Sequence, residues 1–156
     1  MLVATLALAQ GGAWLDVPFV RQSEEGCGAA AISMVMRYWG HDAEPEPILR
    51  ELYTPQLKGI RAADMARYFR QHGFRTFEFK GEWSDLDEHI AKGRPLVVAL
   101  REGANALHYV IVAGVTDAAA LVNDPARRKL LRVDRTDFER RWQKRWTLLA
   151  VPAEAK

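Results

Sequence analysis

The spacing of apolar residues in the first half of the chain is typical of amphipathic helices. A helix is predicted to begin at Cys27, because residues 29–38 are strong helix formers with apolar side chains on one face, and Gly40 is suited to end it. A second helical pattern runs over residues 58–74, with Gly73 as its stop. The proline-rich residues 41–47 predict a loop, which one or two helical turns follow. The front half is therefore predicted to be mainly helical.

The second half changes to the short apolar runs and alternating patterns of β-strands. Two runs, residues 95–100 and 106–115, are apolar almost throughout. In chain order, this half is predicted to contain strands over 75–79, 95–100, 106–115, 119–122, 128–133 and 146–151, and helices over 84–93 and 136–142. Ser84 is expected to open the first of these helices, with Asp87 completing a capping box. A helical front half packed on an antiparallel back half predicts the α+β fold class.

Composition limits the range of architectures and partners. A chain of 156 residues with 49 % apolar content is enough for one well-buried domain and short for two. The formal net charge is +2, and basic residues are scattered among acidic ones, so nucleic acid is not indicated as a partner. A single cysteine excludes an internal disulfide and any multi-cysteine metal site. We therefore expect no cofactor and no metal.

The first ten residues are apolar and resemble the end of a signal peptide. Ala7 and Ala9 have the spacing of a small-residue cleavage site, although a basic region before them is missing. We therefore divide the chain into an apolar segment over residues 1–15 and one domain over residues 16–156, and we expect export to the periplasm or the cell exterior. The alternatives are a short apolar arm packed on the domain and a cytoplasmic protein. No later stretch reaches the roughly 18 apolar residues of a membrane span.

Cys27 is the candidate nucleophile because it stands where the first helix is predicted to begin. Unpaired backbone N–H groups and the positive end of a helix dipole favour a thiolate, the form that attacks a carbonyl carbon. Gly26 and Gly28 flank the thiol and would let a substrate backbone come close. Glu24 and Glu25 oppose a thiolate unless they point into solvent, and they could instead select a basic or amino-terminal group on the substrate. The alternative is that the cysteine is a small buried apolar residue.

His108 is the candidate general base. The other histidines, His41, His72 and His89, lie in a predicted loop, at a helix end and on a polar helix, where solvated side chains are expected. His108 instead interrupts an apolar strand, so its imidazole needs a partner to offset its desolvation. It could take the proton from Cys27 and later protonate a leaving amine. The alternative is a core histidine that bonds to a backbone carbonyl.

Asp124 is the candidate partner for that imidazole. It follows the next predicted strand, and Pro125 favours an extended backbone that suits a carboxylate fixed beside a strand. The alternative is an ordinary Asp-Pro turn. A two-residue loop between the strands would place Asp124 opposite Ile111 instead of His108, so a bulge or stagger must close the gap. Asn123 is the obvious substitute.

Three segments carry a resemblance to a known family: DVPFVRQSEEGCGAAAISMVMRYWG, then LHYVIVAGV, then VNDPA. Together they resemble the papain-like cysteine peptidases of the bacteriocin-processing, double-glycine-leader family in its stand-alone form. The resemblance implies a papain-like fold with Cys27 as nucleophile, His108 as general base and acid, and Asp124 as the residue that orients the imidazole. It also implies Gln22 as the oxyanion donor. Because Gln22 stands one residue closer to the cysteine than papain-type spacing requires, Ser23 is the alternative donor.

The same resemblance implies a function. The chain would be a cysteine peptidase that hydrolyses a peptide or protein substrate near small residues such as glycine, through a thioester intermediate. Because no membrane span is found in this chain, leader processing coupled to export would need a separate exporter as partner. Two alternatives use the same fold: an enzyme that transfers an acyl group to an acceptor other than water, and a non-catalytic module that binds a peptide. The sequence indicates neither the substrate sequence nor the oligomeric state.

Overall fold

The computed structural model describes residues 5–8 and 12–154, which form five helices and eight strands. In chain order the elements are β1 (Thr5–Leu8), β2 (Gly12–Leu15), α1 (Cys27–Tyr38), α2 (Pro45–Leu52), α3 (Ala62–Gln71), β3 (Phe74–Lys80), α4 (Trp83–Ala91), β4 (Leu96–Glu102), β5 (Ala106–Val115), β6 (Ala119–Asn123), β7 (Leu131–Asp134), α5 (Arg135–Arg141) and β8 (Trp142–Pro152). The mainly helical front half and the β-rich back half agree with the predicted α+β fold.

The strands form one sheet in the order β1-β2-β5-β4-β8-β3, with β6 paired to β5 and β7 paired to β6. All of these pairings are antiparallel. β5 is central, since it pairs with β4 and then β2 along one edge and with β6 along the other. A residue near the start of β5 is therefore held by neighbouring strands while it stays close to the loops at the sheet's end.

Helix α1 is buried on almost every side, because the sheet covers one face and α2 and α3 pack on others. Its buried residues include Met34 and Met36. Ser33 satisfies its buried hydroxyl by donating to the carbonyl of Ala43 at 2.6 Å. The helix ends before Gly40, whose φ of 84° few side chains adopt easily. This rigid helix carries Cys27 at its first position.

Some local predictions were wrong or incomplete. The capping box of α4 consists of Glu82 and Asp85, not Ser84 and Asp87. The backbone N–H of Glu82 donates to the Asp85 carboxylate at 2.8 Å, and the buried Trp83 takes the first helical position. The sequence pattern also missed β2, whose pairing with β5 adds it to the sheet.

The predicted cleavage site at Ala7 and Ala9 lies partly outside the described residues, since residues 1–4 and 9–11 are not described. The described strand Thr5–Leu8 pairs with Gly12–Leu15. Among the helices of the described residues, none has the length and the apolar character that crossing a membrane requires.

Candidate active site

Cys27 is the first residue of α1 and is partly exposed, whereas the helix behind it is buried. Gly26 takes the cap position before it, and within the described part of the chain no side chain caps this helix end. The first N–H groups of the helix, including that of Cys27, therefore point out of the helix without an intrahelical partner. These groups and the helix dipole favour negative charge at the sulfur or at a substrate atom bound next to it.

The two glycines beside Cys27 make room for neighbouring parts of the protein. A Cβ on Gly26 would lie 2.8 Å from Oγ of Ser23, in the tight turn that enters the helix. A Cβ on Gly28 would lie 3.0 Å from Cβ of Ile60, which packs against the first turn of α1. Larger residues at these positions would displace the loop or the helix that holds the thiol.

His108 lies on β5 and forms a hydrogen-bonded pair with Asp124. Its Nε2 is 2.6 Å from Oδ1 of Asp124, and both residues are buried. The same oxygen accepts the backbone N–H of Ala126 at 2.9 Å, and Nε of Arg127 lies 3.9 Å from the other oxygen. The imidazole thus has the partner that its burial requires.

The surroundings of His108 favour its charged form. Burial by itself lowers the pKa of the imidazole, but hydrogen bonds to Asp124 and Cys27 and the charges of both outweigh it and raise the pKa to about 9. The hydrogen bond to Asp124 contributes more than the one to Cys27. Burial likewise acts to raise the pKa of Asp124, yet the hydrogen bond and charge of His108 lower it overall. The pair therefore carries opposite charges at neutral pH.

A shift in strand register brings the two residues of this pair to one face of the sheet. The pairing of β5 with β6 shifts by one residue near its middle, so that Asn123 lies opposite Ile111. Asp124 then comes one position further along, on the face from which His108 projects, because side chains alternate along a strand. Without the shift, Asp124 would lie opposite Ile111 and project from the other face. The bulge that the sequence required is present.

The Asn123 side chain does not bond to His108 but to two backbone groups. Its Nδ2 donates to the carbonyl of Val17 at 3.0 Å, and its Oδ1 accepts the N–H of Leu130 at 3.0 Å. The side chain is fully buried and ties the segment before α1 to the loop before β7. The structure therefore brings Asp124, and not Asn123, to His108.

Gln22 lies in the loop that leads to α1, next to the segment that carries Asp124. Its backbone N–H donates to the carbonyl of Pro125 at 2.9 Å, which joins the two loops. Within the described residues its side-chain Oε1 is buried and has no hydrogen-bond partner. This oxygen is an acceptor, so a hydrogen-bond donor on a bound substrate would satisfy it, whereas an oxyanion would bind the N–H groups of the same amide.

The acidic residues before the thiol are exposed, as one of the two predicted arrangements requires. Glu25 has a φ of 59° and accepts a hydrogen bond from the Tyr53 hydroxyl, which holds its carboxylate toward α2. The half-buried Tyr109, which follows His108 in β5, donates to the carbonyl of Ile60 at 2.9 Å. Burial and the charge of Cys27 raise the pKa of Tyr109, so it stays neutral beside the thiol. In the sequence, this tyrosine is distinguished only by its place in an apolar strand.

Glu102 is a further neighbour that the sequence analysis did not identify. One oxygen of Glu102, one nitrogen of His108 and one oxygen of Asp124 lie within 4.8 Å of one another, as the ligands of a metal ion would. However, Arg141 donates to Glu102 at 2.9 Å, and Arg127 lies beside Asp124. These guanidinium groups and a protonated imidazole oppose a cation here, so we assign no metal to the cluster.

The remaining histidines lie outside this cluster. His72 is exposed and bonds to the carbonyl of Tyr68 at 2.8 Å, and His41 is exposed next to Phe74. His89 is half-buried, not solvated as expected, and burial together with Arg94 lowers its pKa.

Comparison with known sequences gives one family. The pattern of the Peptidase C39 family matches residues 16–155. The chain is also 29 % identical over 125 residues to the lactococcin-G-processing and transport ATP-binding protein LagD of Lactococcus lactis subsp. lactis. That match covers 78 % of this chain and 17 % of the relative, so the chain spans only a small part of that protein.

Solved structures of low sequence identity share the fold. The peptidase domain of Streptococcus ComA, a bifunctional ABC transporter involved in a quorum-sensing pathway, superposes with a TM-score of 0.73 at 24 % identity, over 85 % of this chain and 96 % of that one. A double-glycine-motif protease from an AMS/PCAT transporter, solved in complex with a leader peptide, gives a TM-score of 0.71 at 23 % identity, over 88 % and 92 %. These likenesses confirm the predicted papain-like α+β fold.

Proposed function

The chain belongs to the Peptidase C39 family and is a cysteine peptidase, and we propose that it cleaves peptide bonds through a thioester on Cys27, with His108 and Asp124 as partners. The observation that carries the proposal is the buried 2.6 Å hydrogen bond between His108 and Asp124. The Cys27 side chain also raises the pKa of the His108 imidazole, which links the thiol to this pair. A helix start, a charged imidazole and a fixed carboxylate are what a thiolate nucleophile needs.

The first half-reaction forms the thioester. The Cys27 sulfur attacks the carbonyl carbon of the scissile bond, and the former carbonyl oxygen takes up the negative charge. Collapse of this intermediate breaks the C–N bond, and His108 gives its proton to the leaving amine. The carboxylate of Asp124 keeps the imidazole oriented and stabilises its positive charge until that proton is transferred.

The second half-reaction releases the acid. His108, now neutral, takes a proton from a water molecule as the water oxygen attacks the thioester carbon. Cys27 leaves as thiolate, and His108 is again protonated, so the ion pair of the resting enzyme is restored. Each half-reaction passes through an oxyanion, for which the N–H of Cys27 is one donor and the side-chain N–H of Gln22 is the second.

The substrate that we propose is a peptide with small residues, glycine above all, on the acyl side of the scissile bond. The support comes from the relatives: one is named for processing lactococcin G, and another is a double-glycine-motif protease solved with a leader peptide. Because the names of these relatives tie them to transport, we further propose that an exporter is the partner of this peptidase domain.

Peptides that differ only before the cleaved bond test the proposal. A peptide with Gly-Gly should be cut after the second glycine, whereas a matched peptide with Val-Val should be cut at least tenfold more slowly, since branched side chains crowd the thiol. Mass spectrometry of the products locates the cut and shows whether the acyl group ends on water or on an added amine. Cleavage that persists in Cys27→Ala, or no cleavage of either peptide, would exclude this mechanism.

A further inference from the structure

A cavity of about 440 Å³ lies beside the paired His108 and Asp124. Its wall includes Glu102 and Arg127, the two charged residues that adjoin this pair. The other lining residues come from the end of β4, from the turn after it and from the end of α5: Arg101, Gly103, Ala104, Arg140 and Arg141. The cavity thus begins where the catalytic imidazole is anchored.

The lining of the cavity is strongly basic. Four of its residues are arginines, and Glu102 is the one carboxylate among the lining residues. A second cavity of about 400 Å³ shares Arg127 and Arg141 with the first, but Asp134 and Asp137 also line it and offset most of its positive charge. Four arginines against one carboxylate give the first cavity an excess of positive charge, which favours an anion.

Two of the arginines, Arg101 and Arg127, have N–H donors that are not fully used. Arg141 is mostly buried and already binds Glu102 at 2.9 Å and Asp137 at 3.2 Å. Arg101, in contrast, donates to the backbone carbonyl of Arg140 and, within the described part of the chain, forms no ion pair with a carboxylate. Arg127 shares Asp124 with His108 at a distance of 3.9 Å, and 58 % of its side chain is exposed. Arg101 and Arg127 can therefore bind an incoming carboxylate.

The chemistry of the reaction indicates which part of a substrate would lie near the basic cavity. His108 must touch the nitrogen that leaves, so the peptide on the amine side of the scissile bond starts at the imidazole. A ring nitrogen of His108 lies within 4.8 Å of Glu102, a wall of the cavity. An extended peptide advances about 3.3 Å per residue, so the second or third residue after the cut can reach the arginines.

We propose that the cavity between Arg101 and Arg127 binds an acidic side chain of the substrate, located within the first three residues after the scissile bond. This inference rests on the proposed peptidase function and adds the substrate's leaving side to it. The carboxylate would meet guanidinium groups that are only partly engaged, and its binding would fix the leaving amine near His108. The site therefore contributes to specificity after the cut, independently of the small residues before it.

Pairs of peptides that carry Glu or Gln at the first, second or third position after the cut test this proposal. At one of these positions the Glu peptide should show a kcat/KM about five- to tenfold higher than its Gln partner, the size typical of a charged hydrogen bond at a partly exposed site. The ratio should fall toward one in Arg101→Gln and in Arg127→Gln, and it should shrink in 0.5 M salt. Because the ratio is taken within each variant, a change in overall rate does not affect it.

Matched variants show whether positive charge at this place is the cause. Arg101→Lys should keep most of the preference, and Arg75→Gln, an exposed arginine on β3, should keep all of it. A ratio of one at all three positions in the unchanged protein would overturn the proposal, and so would a preference that survives both glutamine variants.

A binding assay separates this inference from the proposed function. If no peptide is cut, the peptidase mechanism fails, and fluorescence anisotropy of the same labelled peptides with Cys27→Ala still compares Glu with Gln. Tighter binding of the Glu peptide that is lost in a Cys27→Ala, Arg101→Gln double variant supports the cavity. Equal affinities for both peptides would overturn it.

Discussion

Nε2 of His108 lies 2.6 Å from Oδ1 of Asp124, which leaves Nδ1 as the ring nitrogen for the Cys27 thiol. This arrangement fixes both the orientation and the charge of the imidazole, since the carboxylate accepts from one nitrogen while the other faces the nucleophile. The relationship depends on a one-residue shift in the pairing of β5 with β6. Strand register and the chemistry of the site are therefore coupled.

The first prediction concerns the protonation of His108. Its pKa of about 9 lies above its ordinary value of 6.5, so the ring should stay protonated through neutral pH and lose its proton only in alkaline solution. Asp124→Asn should lower this pKa strongly, and Cys27→Ala should lower it by less, in the order of their hydrogen bonds. NMR titration of the ring carbon shifts measures each value. A midpoint near 6.5 in the unchanged protein would contradict the paired arrangement.

The second prediction treats Cys27 and His108 as one unit. Each alanine variant should abolish measurable turnover, and the double variant should be little worse than either single one, because neither group works without the other. Rates from concentrated enzyme and long incubations, compared with the uncatalysed reaction, give the three losses. Losses that multiply in the double variant would show that the two residues act independently.

The third prediction separates the roles of Asp124 and Asn123. Asp124→Ala should lower kcat strongly with a smaller change in KM. Asn123→Ala should instead leave kcat nearly unchanged but lower the free energy of unfolding by about 1–3 kcal/mol, since it leaves the buried carbonyl of Val17 and N–H of Leu130 without their partner. Kinetics and urea unfolding of both variants check this. The reverse ranking in kcat would transfer the orienting role to Asn123.

The fourth prediction tests Gln22 as oxyanion donor. Gln22→Ala should lower kcat by roughly 10²–10³, as removal of one oxyanion donor does in other enzymes, whereas alkylation of Cys27 by a small haloacetamide should hardly change because that reaction forms no oxyanion. Equal losses in both assays would mean that Gln22 only supports the loop, which its bond to Pro125 also allows. No loss in either assay would make Ser23 the next donor to test.

Much of the site could be predicted from local sequence because local physics determines it. Strong helix formers after Cys27 placed the thiol at a helix start, and the apolar run 106–115 gave β5 with His108 inside it. The length of the loop between β5 and β6 showed that a register shift was needed. The position of the shift could not be predicted, since a bulge depends on packing across strands. The packing role of Gly28 was not predicted because its neighbour, Ile60, is distant in sequence.

The basic cavity could not be predicted from the sequence, because its lining residues are distant from one another along the chain. Its arginines come from a strand end, a loop and a helix end, and each resembles an ordinary solvated charge when the chain is read in order. Only the packing of α5 against β4 brings Arg101 and Arg141 together. The proposed anion site thus depends on contacts between distant segments, and no local sequence motif predicts it.

The most direct test of the central claim is the rate at which iodoacetamide labels Cys27 at pH 6, followed by mass spectrometry and by residual activity. The native protein should react faster than the same protein in urea, where an ordinary thiol with a pKa of about 8.5 is almost fully protonated. One adduct at Cys27 should abolish cleavage, and His108→Gln should remove the advantage of the native state. A native rate equal to or below the denatured rate, or full activity after labelling, would contradict the assignment of Cys27 as nucleophile.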